Sequence, residues 1–216
     1  RARHRQSGRC RAELRQGCLS GVFISLWVAA YVSSVMQRFN IEKMSRTKKL
    51  FFLYAALQIL SIAFVLGTAQ YLPSVVASHF DLSGQPNATL PRDQYIILML
   101  VIMVLIPSIM AAMPQLMTKL PPKWVNLPHS AYWLAPERMT ETLKVLQNFY
   151  LILACELNAF FAVLYWLVMQ AHQQNPANLS TEHMLTATTV FLGLAIYGSI
   201  QLHSQFNKIP DASKST

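Results

Sequence analysis

The chain has 216 residues, 53% of them hydrophobic and only 12% charged, whereas soluble domains carry about 25% charged residues. That shortfall excludes an ordinary water-soluble domain and points to lipid as the solvent. The net charge of +9 would suggest an anionic partner, and the scattered Cys10, Cys18 and Cys155 offer neither a disulfide framework nor a zinc spacing.

The first apolar stretch, residues 19–36, reads as a doubtful fifth span. Six arginines lie within residues 1–15 and would be placed outside, against the positive-inside rule. A signal peptide cleaved near Ala29 and Ala30 would leave Arg38, Lys43, Arg46, Lys48 and Lys49 outside, which breaks the same rule. Residues 1–42 hold seven Arg and no Lys, and Met44 opens an ordinary bacterial start. Residues 1–43 are therefore read as upstream translation or a fragment, not as a nucleic-acid-binding tail, and no nucleic-acid partner is expected.

Four further stretches have the roughly 20 apolar residues that a helix needs to cross about 30 Å of hydrocarbon. They lie at about 50–70, 95–114, 145–170 and 185–203, within a membrane domain at 44–205 followed by a tail at 206–216. In hydrocarbon every backbone polar group must be paired internally, so each span is expected to be helical. The fold class is all-α: an integral membrane bundle of four helices, with the lipid bilayer as its first partner. Nine basic residues, among them Arg46, Lys48, Lys49, Lys119, Lys144 and Lys208, fall on one side, against Arg92 alone on the other. By the positive-inside rule both termini are cytoplasmic and the loop at 72–92 is external in a multi-pass cell-membrane protein.

That loop, "LPSVVASHFDLSGQPNATLPR", is rich in turn formers. It is expected to close as an ordered cap, with Leu72, Val75, Val76 and Phe80 turned inward and Gly84 taking a positive φ. His79 and Asp81 form a candidate proton- or ligand-sensing pair, with His79 changing charge most naturally between pH 5 and 8. Two such groups are too few for a metal site, and neither a metal nor a cofactor is expected.

In the second span Pro107 removes a backbone donor and frees the carbonyl of Met103. The following segment, "NLPHSAYWLAPER", puts aromatic residues at the inner interface. Pro136 suits a first helical turn and Glu137 its positive end. The third span carries Glu156, an acid near mid-membrane and hence a candidate for ion or proton relay. Asn158, two residues on, lies on a different face. The fourth carries small-xxx-small pairs at Thr189–Gly193 and Ala195–Ser199. No nucleophile–base constellation stands out, so an enzyme is not expected.

Two segments resemble a bacterial membrane family of unknown function that also forms the N-terminal part of SdpI-type proteins. The first is Leu72, Pro73, His79, Phe80, Ser83 and Gly84. The second is Asn126, Pro128, Tyr132, Trp133, Leu134, Ala135, Pro136, Glu137 and Arg138. One departure is Ala77, where the family usually has Pro. The resemblance covers about residues 48–170. It implies a non-enzymatic inner-membrane protein with a role in envelope sensing, immunity or accessory function, acting through the outer loop and another membrane or regulatory protein. The runner-up is a small ion- or proton-coupled carrier that uses Glu156.

Overall fold

A computed structural model describes residues 45–121, 124–174 and 176–209. The apolar stretch at 19–36, the reading of residues 1–43 and the tail beyond residue 209 lie outside the described residues. Helix α1 spans Arg46–Thr68 and tightens into a 3-10 turn at Ala69–Tyr71. Strands β1 (Val75–Phe80) and β2 (Pro86–Pro91) follow, then α2 (Arg92–Met117), the single turn α3 (Ser130–Trp133), α4 (Pro136–Ala171) and α5 (Thr181–Phe206). Helices α1, α2, α4 and α5 are long and apolar enough to cross a membrane.

The bundle is built around α4, which packs against α1, α2 and α5. Its 36 residues would extend about 54 Å at 1.5 Å per residue, longer than a bilayer core. Its first turns therefore project beyond the apolar slab. The connections alternate, so the hairpin and the α4–α5 turn share one end of the bundle. Arg46, Lys48, Lys49, Lys144 and the last turn of α5 share the other.

Three clusters make the core. At the hairpin end Val65, Leu72, Val76, Tyr95, Met99, Met103 and Tyr165 pack together, with Tyr95 stacked on Tyr165 at 6.4 Å and Phe64 edge-on to it at 5.6 Å. At mid-height Tyr54, Leu151, Ala154 and Cys155 meet. At the basic end Val125, Leu127, Leu134 and Leu146 enclose Phe206. Outward-facing Ile59, Leu60, Ile97, Leu105, Ile196 and Ile200 are exposed, as lipid-facing residues are.

The Met103 carbonyl freed by Pro107 finds partners. Gln58 Nε2 donates to it at 3.1 Å, with Asn158 Nδ2 further away at 3.5 Å. Asn158 Nδ2 also donates to Gln58 Oε1 at 3.0 Å, and Ser61 Oγ donates to Asn158 Oδ1 at 2.6 Å. Asn158 is fully buried. One asparagine thus ties α1, α2 and α4 together at mid-bundle and repairs the gap that proline opens.

The segment at 72–92 is more regular than a turn. It is an antiparallel hairpin pairing Val75 with Pro91, Val76 with Leu90 and Ala77 with Thr89. The expected inward set is corrected in part. Leu72 and Val76 are buried, but Val75 is 57% exposed, because successive strand residues face opposite sides. Phe80 is only half-buried.

Candidate functional site

The hairpin is placed by what it touches. Its root is held where Arg92 N donates to Ser74 O at 3.0 Å, and Val76 plugs the cluster beneath. Register irregularities flank His79 on both sides, as bulges that re-aim side chains do. They bring His79 over Asn87, whose Oδ1 accepts from His79 Nδ1–H at 2.6 Å.

The tip is organised by Asp81. Its Oδ1 accepts from Ser83 Oγ at 2.7 Å, Ser83 N at 2.8 Å and Gln85 N at 2.9 Å. The Ser83 hydroxyl bond first, then the Gln85 N–H, hold its carboxyl below the usual carboxylate range. Asp81 is thus spent on the turn, and no bond joins it to His79. The two expected partners share a hairpin but not an interaction.

Gly84 carries φ +82° and is buried against the α4–α5 turn. A Cβ there would overlap Leu179 O and lie 2.6 Å from Asn178 Oδ1. Leu179 N donates to Gly84 O at 2.9 Å, and Thr181 Oγ1 to Leu82 O at 3.2 Å. The tip is stitched to the start of α5.

The residue that sequence reasoning missed is His172, at the end of α4. Its Nδ1 lies 2.9 Å from Val168 O. A carbonyl only accepts, so Nδ1 carries the proton. Nε2 is then the bare nitrogen, and it accepts the Ala77 N–H of β1 at 3.0 Å. Only a neutral imidazole can make both bonds. His79 behaves differently, because its Nδ1–H donates whether the ring is neutral or charged. A third histidine at this end, His183, has its Nε2 buried without a partner.

The other expected sites lie elsewhere. Glu156 is half-buried, about 24 Å along α4 from His172 at 1.5 Å per residue. It shares a stripe of α4 with Phe149, which lies where a Cβ on Gly198 would meet it, and Phe160, which stacks on Phe191 at 4.8 Å. It therefore faces α5, away from Asn158, and has no hydrogen bond or ion pair among the described residues. The segment with Tyr132, Trp133, Pro136, Glu137 and Arg138 is at the basic end. There Trp133 Nε1 donates to Phe206 O at 2.8 Å, Thr142 Oγ1 to Trp133 O at 2.7 Å, and the Arg138 guanidinium sits 4.0 Å over the Tyr132 ring. Pro136 is the first residue of α4, with Glu137 in the first turn. These contacts bind the end of α5 to the start of α4.

Among the described residues, no three of His, Cys, Asp and Glu gather closely enough to hold a metal ion. In comparison with known proteins, residues 56–105 match a domain of unknown function, DUF1648, a membrane-associated family. The match contains the hairpin with the adjoining part of α1 and the first part of α2, and excludes the Tyr132–Arg138 segment. No curated protein and no solved structure matches the chain.

Proposed function

We propose that this is a non-enzymatic bacterial inner-membrane protein of envelope sensing or accessory function, with the hairpin end facing outward as its receiving surface. The excess of lysine and arginine at the opposite end supports that orientation. The observation that carries the reading is the bond from Ala77 N–H to His172 Nε2. The hairpin connects α1 to α2, is latched to α4 through His172 and is stitched to α5 through Gly84. A change in its seating therefore reaches every span.

Protonation turns His172 Nε2 from acceptor to donor and sets it against the Ala77 N–H. The latch therefore needs the bare Nε2 of His172, which the Nδ1–H bond to Val168 O leaves free to accept. The ionisable groups at this end are His79, Asp81, Arg92, Asp93, Glu182 and His183, and none of them is bonded to His172. Amide exchange at Ala77, corrected for intrinsic rate, tests this with the protein in nanodiscs. Slow exchange is expected for the native chain and for His79→Gln, with fast exchange for His172→Leu. Equal protection of Ala77 in the native chain and in His172→Leu would refute the latch.

A second reading is a small ion- or proton-coupled carrier, favoured by the unpaired carboxylate of Glu156 between α4 and α5. Flux in proteoliposomes that Glu156→Gln abolishes would support it. An absence of flux in the native protein would retire it.

A further inference from the structure

At mid-height, α1 and α2 are bridged by the Tyr54 hydroxyl on Ser108 Oγ at 2.8 Å. From there towards Arg46 a groove of about 930 Å³ opens between the two helices, floored by α4. Phe51 and Phe52 form one wall and are 55% and 61% exposed. Ala111 and Ala112 form the other, and their short side chains leave the gap open. The floor changes character along its length, from Leu151 to Gln147.

The end nearest Arg46 is polar and hydrogen-bonded. Gln147 Nε2 donates to Ala111 O at 2.9 Å, Gln115 Nε2 donates to Gln147 Oε1, and Thr47 Oγ1 donates to Asn148 Oδ1 at 2.9 Å. Lys48 lines this end and makes no ion pair among the described residues. No carboxylate lines the groove. It is therefore an amphiphile-shaped slot, with an uncompensated cation and amide groups at one end and aromatic and alanine walls at the other.

We propose that this groove holds an anionic phospholipid from the leaflet at the basic end. Its phosphate sits at Lys48, its ester region meets Gln115, and one acyl chain lies between Phe51 and Ala112. Basic clefts between membrane helices recognise anionic head groups by this charge match. The absence of any lining carboxylate selects a net-negative head over a zwitterionic one, and the closed Tyr54–Ser108 end limits how far the chain can run.

Native mass spectrometry of the full chain with phosphatidylglycerol or phosphatidylcholine of identical acyl chains tests the assignment. Phosphatidylglycerol is expected to remain bound preferentially. One basic residue near a lipid surface is worth about 1 kcal/mol, so Lys48→Gln should reduce that binding about fivefold. Ala112→Trp, which fills the slot, should reduce binding of both lipids. Equal retention of the two lipids, or unchanged phosphatidylglycerol binding in both variants, would overturn it. A cysteine at Ala112, with the native cysteines replaced, should react with a thiol reagent after delipidation and be shielded by added phosphatidylglycerol. Shielding that persists without lipid would overturn the proposal, because protein would then fill the groove.

Discussion

At residue scale the molecule depends on a few positions where geometry leaves one choice. Gly84 combines a positive φ with contact against Leu179. Gly84→Ala should cost about 1–2 kcal/mol for the backbone alone and should also push the tip off α5, read as a lower melting temperature with faster proteolysis at 81–91. Asn158 serves three partners, and Asn158→Leu strands the Ser61 hydroxyl and Gln58 Oε1 and leaves the Met103 carbonyl to Gln58 Nε2 alone. A loss of about 1–3 kcal/mol is expected, measured by thermal unfolding in detergent. Pro107→Ala should soften the same substitution, because it restores a donor to that carbonyl. Part of this was legible in the sequence, since a proline inside an apolar run names the carbonyl it frees. That Asn158 would answer it was not, because its partners stand about 100 positions away. His172 was hidden for a related reason. It bonds a backbone N–H, and a backbone donor leaves no mark in the residue alphabet.

At the scale of elements, the four long helices could be read directly, because uninterrupted apolar runs admit only a helix in lipid. The hairpin could not. Pro73, Gly84, Pro86 and Pro91 read as a loop, and the irregularities beside His79 break the two-residue period by which a strand is recognised. One acid-sensitive device sits in this element, the turn organised by Asp81. Asp81 has its carboxyl depressed, so the turn it organises is stabilised above the ordinary carboxylate range and lost only as pH falls below it. Chemical shifts of the Ser83 and Gln85 amides should stay unchanged down to about pH 5 and move only in stronger acid. The second hold on β1 is the bond from the Ala77 N–H to His172 Nε2. At the opposite end, Trp133→Phe keeps the aromatic packing on Phe206 and removes one hydrogen bond. About 0.5–1.5 kcal/mol should be lost, against several times that for Trp133→Ala.

For the whole molecule, the arrangement is a three-helix core of α1, α2 and α4 with α5 leaning on α4, capped at one end by the hairpin and tied at the other by the Trp133–Phe206 contact. Span count and the alternation of ends followed from hydropathy and chain order. Orientation rests on lysine and arginine asymmetry. A membrane-impermeant thiol probe should therefore reach single cysteines at Ser83 and Asn178 in intact cells, and one at Ser130 only after permeabilisation. His172 holds the hairpin on the bundle through the Ala77 N–H. The decisive measurement is the spin–spin distance between labels at Thr89, opposite Ala77, and Gln173 beside the latch, with the protein in nanodiscs. A narrow distribution is expected in the native chain, and a broader, longer one in His172→Leu. A distribution that His172→Leu leaves narrow and unchanged would contradict the latch.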